Sequence, residues 1–267
     1  MSHAWSGARR QLALAAACAM VLGAVVGCGS GEATPKPSTT SSKAAVEKRV
    51  KVVDASTFTT VEGAPRDAST KKTDGTVVHP KSKQPVYDEP GGTAIARLPV
   101  KELGNPTWVP VIDRKSGWLK VLLPARPNGA AGWLRSSAQL DKAKTPYVVK
   151  VDVDKRRLVL RKDDALVGSW QVAVGATKTP TPRTRTYLMA SIIDAKQAKY
   201  TPLVLPLGAH SDTLDTFGGG PGTVALHGWS TDSSVFGQAV SNGCIRVPAD
   251  GLDELRQVPL GSLVLIQ

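Results

Sequence analysis

The sequence predicts a mainly β protein, with two β domains in tandem behind an N-terminal export and tether region and one short helix near the C-terminus. Three observations lead there. Glycine (25) and proline (19) are plentiful among the 267 residues, which favours turns and loops over a helical bundle. From residue 76 onward, short apolar runs alternate with turn clusters. Residues 147–153, YVVKVDV, alternate apolar and polar positions, the period-two pattern of a half-buried strand. The length suits one large or two small domains, and 41% hydrophobic and 21% charged residues are ordinary for a globular chain.

Residues 1–27 read as an export signal. Arg9 and Arg10 form a basic start, and Gln11 to Gly27 is almost wholly apolar. The run Val25-Val26-Gly27-Cys28 resembles a bacterial lipobox, where the signal is cut before the cysteine and the thiol takes a diacylglyceryl group. An ordinary signal peptide and an uncleaved anchor helix are the alternatives. On the lipobox reading the mature chain is fixed to the outer face of the cytoplasmic membrane and faces the cell wall. Residues 28–75 then form the lipidated Cys28 and a flexible tether. Positions 29–48 are rich in Ser, Thr, Pro and Lys and hold too few apolar residues for a core. Positions 49–74 are mixed, with VKVVDASTF as a short strand candidate.

The formal net charge is +12, and loss of the two arginines in residues 1–27 leaves +10. Such a balance favours anionic surroundings. Outside the membrane those are wall polymers or lipid headgroups, and nucleic acid is excluded as a partner. Nothing in the sequence points to oligomerisation, and a monomer is expected.

Residues 76–143 predict a small β domain. QPVYDEPGG gives a strand and a turn, and WVPVID, WLKVLLP and WLRSSAQL are separated by RKSG and RPNGAAG. On the residues alone this is a small β-barrel or meander. The repeated Gly-Trp-Leu at Gly117–Leu119 and Gly132–Leu134 resembles bacterial SH3-like domains, modules that usually bind wall peptide or act as spacers.

Residues 146–267 predict a second, mostly β domain. YVVKVDV, LVLRK and VGSWQVAVG follow one another in hairpin order. The prolines of TKTPTPRTRTYLMASII bar a helix until about Thr184. The glycine-dense DTFGGGPG leads into the strand TVALHG. PADGLDELRQVPLGSLVLIQ gives the one short helix, with Asp250 near its start and Leu252 and Leu255 on one face, then a closing strand.

Chemistry concentrates between His227 and Val247. Cys18 lies within the signal and Cys28 in the lipobox, so Cys244 is the only free thiol of the mature chain. A leftover cysteine in an exported protein is either a buried inert residue or a reactive thiol. Thiol catalysis needs a base, oxyanion donors and a substrate clamp. His227, at the end of an apolar strand, supplies the base. Gly243 allows a tight turn, so that the amides of Gly243 and Cys244 can converge on one oxygen. Arg246, two residues after the thiol, shares its face on an extended segment and suits a carboxylate. A zinc site lacks enough ligands, so no metal and no cofactor is expected.

The segment HG…FGxAVSxGCIR resembles the signature of the YkuD-type L,D-transpeptidases, here His227, Gly228, Phe236, Gly237, Ala239, Val240, Ser241, Gly243, Cys244, Ile245 and Arg246. VDVDKRRLVL, VAVGATKTPTPRTRTYLM and GGPGTVALHG resemble further family segments in the same order. The resemblance implies a catalytic domain over 146–267 that acts on peptidoglycan stem peptides. It implies that Cys244 attacks the carbonyl of the third stem residue and releases the terminal D-Ala, after which an acceptor amine completes a 3→3 cross-link. It implies that His227 moves the proton, that the Gly228 carbonyl orients the imidazole, and that Gly243 and Cys244 form the oxyanion hole. It also implies substrate-binding roles for Ser241, Arg246, Asn242 and Tyr187, no metal, and covalent reaction with carbapenems.

The sequence departs from that pattern at Asn242, where many members carry His, at Arg246, where many carry Asn, and at Arg183–Thr184, where glycine is commoner. His210 is an extra candidate for the cleft, its bland reading a loop histidine. An L,D-carboxypeptidase, a non-catalytic wall-binding lipoprotein and an exported cysteine protease are the competing functions.

Overall fold

The computed structural model describes residues 52–193, 201–229 and 231–267. The export signal, Cys28 and the tether up to residue 51 lie outside the described residues. Those described fall within one compact unit, Lys48–Gln267. Among them no helix is long and apolar enough to cross a membrane.

Among the described residues the fold is mainly β with a single α-helix. Strands β1 (Val53–Asp54), β2 (Thr76–Pro80), β3 (Gln84–Tyr87), β4 (Ala94–Leu98), a small hairpin of β5 (Lys101–Glu102) and β6 (Asn105–Pro106), then β7 (Val109–Lys115), β8 (Trp118–Leu122), β9 (Ala131–Arg135) and β10 (Leu140–Lys144) make up the first part. Apart from the β5–β6 hairpin they form one sheet in the order β1-β4-β3-β9-β8-β7-β2-β10. The two Gly-Trp-Leu repeats lie on neighbouring antiparallel strands, with Leu119 opposite Leu134. Both leucines are buried in the core of this part. The tryptophans sit on the opposite face, where Arg135 stacks 4.9 Å from the Trp118 ring and Lys115 lies 5.2 Å from that of Trp133. Indoles on the outer face are thus shielded by cationic side chains.

The second part opens with β11 (Tyr147–Asp152), β12 (Arg157–Lys162) and β13 (Ala165–Gln171), antiparallel in hairpin order. In β11, Tyr147, Val149 and Val151 are buried while Lys150 is exposed, as the alternation requires. β14 (Val174–Gly175), β15 (Thr184–Tyr187), β16 (Val204–His210), β17 (Thr223–His227), β18 (Ala239–Ser241) and β19 (Ile245–Arg246) follow, then helix α1 (Ala249–Leu255) and β20 (Leu263–Ile266). The main sheet runs β13-β12-β11-β20-β15, and a three-stranded sheet runs β16-β17-β19. Helix α1 buries Leu252 and Leu255, and Asp250 in its first turn accepts a 2.8 Å hydrogen bond from Trp170 Nε1.

Two expectations about the fold are corrected. Residues 52–75 are not tether. Val53–Asp54 pairs with β4, and Ala55, Thr57 and Val61 are buried. The segment is held by polar bonds to both parts, which leave no hydropathy period to read. Arg185 forks onto both oxygens of Asp67 at 2.7 Å, with the two side chains only 6% and 10% exposed. The other correction is Tyr187, expected at the substrate. It is 1% exposed and packs into the core of the first part with Met189. β15 is the edge strand of the main sheet, so its outward side chains meet the other part, not the cleft. Gly208 leaves the ring its room, since a Cβ there would stand 2.5 Å from Tyr187 Cε1.

Candidate active site

Strand pairing assembles the site. β17 and β19 run parallel, with Leu226 beside Ile245 and His227 beside Arg246. Leu226 and Ile245 point into the core. Their alternating neighbours therefore share the other face: Ala225 and His227 on β17, Arg246 on β19 and Cys244 immediately before it. Adjacent strands lie about 4.8 Å apart. That places the thiol beside the small Ala225 and diagonally across from the imidazole. Seventeen residues of sequence separation thus close onto a single surface.

His227 is half-buried, and its Nδ1 lies 2.7 Å from the Gly228 carbonyl oxygen. A carbonyl only accepts, so Nδ1 carries the hydrogen and Nε2 presents a lone pair. Gly228 is itself fixed, because its N–H donates 2.8 Å to Thr201 Oγ1, and that hydroxyl donates 2.6 Å to Leu203 O. Burial holds the His227 pKa below its ordinary value, the Gly228 hydrogen bond works against this, and the charge of Arg246 adds to the lowering. Burial likewise pushes the half-buried Cys244 thiol up, against a backbone hydrogen bond from Ala225 and the charge of Arg246. Both effects favour a neutral imidazole and a neutral thiol at pH 7. Such a pair can pass a proton from sulfur to Nε2 as attack begins.

The turn before Cys244 is built around Gly243, whose φ of +111° L side chains rarely adopt. Ser241, 2% exposed, donates from Oγ to Cys244 O at 2.5 Å and accepts from Gly243 N at 3.1 Å. This corrects the expected oxyanion hole, because the Gly243 N–H is already taken. The Cys244 N–H is the donor that remains. The Thr-Pro-Thr-Pro loop grips the same turn from outside. Thr179 Oγ1 donates to Ser241 O and Thr181 Oγ1 to Gly243 O, each at 2.9 Å, while Thr181 Oγ1 accepts from Gly175 N at 2.8 Å.

Arg246 lies with its guanidinium 3.6 Å from the centre of the Trp229 ring, and the same indole stands 6.4 Å from the His227 ring. Desolvation holds the Arg246 pKa below its ordinary value, and the thiol beside it has the opposite effect. Asn242 is exposed at the tip of the turn. His210 is neither on a loop nor in the cleft. It ends β16 with 0% exposure, and its Nε2 lies 2.9 Å from Thr57 Oγ1 and 2.8 Å from Thr57 O. Thr179, Thr181, Thr201 and Trp229 were not singled out from the sequence. Trp229 had a signal, an aromatic directly behind His-Gly; the threonines had none beyond the loop they sit in. Among the described residues no group of three His, Cys, Asp or Glu side chains is placed to hold a metal ion.

Thiol, imidazole and guanidinium thus gather on one surface of a β scaffold, behind a glycine turn. Residues 146–266 match the model of the YkuD family, the L,D-transpeptidase catalytic domain. This match supports a transpeptidase enzyme. No curated protein matches the chain. Among solved structures, the chain is similar to an L,D-transpeptidase from Mycobacterium smegmatis, with 16% identity, a TM-score of 0.39, and 60% of this chain and 82% of that one covered. It is also similar to L,D-transpeptidase 3 from Mycobacterium tuberculosis in complex with a faropenem-derived adduct, with 11% identity, a TM-score of 0.38, and 52% and 74% covered. An Enterococcus faecium L,D-transpeptidase gives 20% identity, a TM-score of 0.36, and 46% and 50% covered.

Proposed function

We propose that the protein is a peptidoglycan L,D-transpeptidase. It is a monomer held at the outer face of the cytoplasmic membrane by a lipid on Cys28. Its first β part, an SH3-like module, acts as wall contact or spacer. One observation carries the reading: Cys244, His227 and Arg246 share one face of the paired strands β17 and β19, with the imidazole in the tautomer that leaves Nε2 free.

The reaction follows from that arrangement. The thiol of Cys244 gives its proton to His227 Nε2 as Sγ bonds the carbonyl carbon of the third stem residue. The carbonyl oxygen takes up negative charge facing the Cys244 N–H. The carbon–nitrogen bond to D-Ala breaks, the imidazolium returns its proton to the leaving amine, and a thioester remains. The amine of a neighbouring stem attacks the thioester and gives its proton to His227. The carbon–sulfur bond breaks, the sulfur recovers a proton, and a 3→3 amide is left. Asn242 and Arg246 contact the stem peptide, and Ser241 braces the turn. Water in place of the amine turns the same chemistry into an L,D-carboxypeptidase.

Incubation with a purified tetrapeptide muropeptide separates these readings by product mass. A dimer that has lost one D-Ala marks transfer. A tripeptide monomer alone marks hydrolysis, and unchanged substrate rejects the catalytic reading in favour of a wall-binding lipoprotein. Replacing Cys28 by Ala should free the protein from the membrane fraction. Persistent membrane association would reject the lipid anchor.

A further inference from the structure

We propose that Trp229 and Arg246 form a carboxylate seat beside the thiol, and that this seat selects acyl donors whose third residue ends in a free carboxylate over those ending in the carboxamide. The inference rests on the acyl-transfer reading of Cys244 and adds a specificity to it.

The guanidinium of Arg246 makes no ion pair and no side-chain hydrogen bond among the described residues, and its buried Nε has no hydrogen-bond partner there. What fixes its plane is the Trp229 ring, 3.6 Å away. A stack that close covers one face of the guanidinium and leaves its in-plane N–H edge. That edge matches the two oxygens of a carboxylate as a fork. A partly desolvated cation without an internal partner gains most when a ligand brings the missing charge. A carboxamide offers one acceptor oxygen, and its NH₂ turns donors toward donors. It loses one hydrogen bond and the charge together.

Position in the chain ties the seat to the reaction. Arg246 is two residues beyond Cys244 on the same strand face, and Trp229 is two residues beyond His227. The seat therefore lies against the point where the donor carbonyl meets the sulfur. Trp229 acts through Arg246 as a positioning residue. Its indole holds the guanidinium flat, and an aliphatic side chain at 229 would free the arginine to rotate out of register.

The test compares kcat/KM for two tetrapeptide donors that differ only in carboxylate or carboxamide at the distal end of the third residue. The wild type should favour the carboxylate by about tenfold or more, the worth of a charge-assisted bidentate contact against a single neutral one. Trp229→Leu and Arg246→Gln should bring that ratio close to one. Trp229→Phe, which keeps a flat ring, should retain most of it, and Arg246→Lys, which keeps charge without the fork, should lose most of it. Equal use of both donors by the wild type overturns the seat. So does an unchanged ratio in Trp229→Leu, or in Arg246→Lys should the leucine variant fail to fold. A wild type that acylates with neither donor brings down the acyl-transfer reading itself, and the seat with it.

Discussion

The buried histidine outside the site gives a quantitative prediction about pH. The Thr57 carbonyl accepts from His210 Nε2, so that nitrogen carries the hydrogen, and Nδ1 is left as a buried atom without a partner. Protonation would place an N–H at Nδ1 with no acceptor. Desolvation therefore dominates and brings the His210 pKa down from 6.5 to about 4, against the hydrogen bond to Thr57 and with the charge of Arg126. The unfolded chain takes up its proton near pH 6.5, the folded chain only near 4. Stability from this group is thus fully present above about pH 6.5 and is lost as pH falls toward 4. Linkage between those two values gives a loss of about 2 kcal/mol by pH 5 and about 3 kcal/mol once both states are protonated. For a domain of this size, 2 kcal/mol lowers the thermal midpoint by about 4–8 °C. The assay is thermal unfolding at pH 7.5, 6.5, 5.5 and 5.0 for the wild type and for His210→Gln, which keeps a donor toward Thr57 and cannot titrate. His227, held below its ordinary pKa as well, and Glu102, raised by burial, contribute to both proteins, so the difference between the two profiles isolates His210. The wild type should lose about 4–8 °C more than the variant over this range. Parallel profiles would refute the argument.

Three further substitutions test the supports of the site. Gly243→Ala forces a Cβ into the φ of +111°, so about 1–3 kcal/mol of strain should displace the Cys244 amide and slow donor acylation at least about tenfold in a stopped-flow assay. Thr181→Val strips partners from the Gly175 N–H and the Gly243 carbonyl. Two unsatisfied backbone groups should cost about 2–3 kcal/mol in urea unfolding, while Thr181→Ser stays near wild type. Asp67→Ala leaves the Arg185 charge buried without its fork. That should cost about 3–5 kcal/mol and lower the thermal midpoint at pH 7.

The elements the sequence showed plainly are those with a hydrophobic period. The alternation of β11, the hairpin order of β11 to β13 and the two-leucine face of α1 all lie where they were read. The site was legible as a set of residue types around one glycine turn. What escaped was whatever rests on single polar bonds between distant segments. Thr57 and His210 are 153 positions apart, and Asp67 and Arg185 are 118 apart. Neither pair leaves a local pattern, so residues 52–75 read as tether, apart from the strand candidate VKVVDASTF in which β1 lies, and His210 read as a loop residue. Tyr187 was misplaced for a related reason. An edge strand has two faces, and its sequence does not say which one meets a neighbouring domain. The Gly243 amide was misassigned because the Ser241 hydroxyl, two residues away, competes for it at 3.1 Å.

Intact-mass spectrometry after incubation with a carbapenem addresses the catalytic claim at the sulfur itself. A single covalent adduct is expected on the wild type, absent from Cys244→Ala and much slower to form in His227→Ala. A folded wild type that gains no mass, or an adduct that survives in Cys244→Ala, would contradict it.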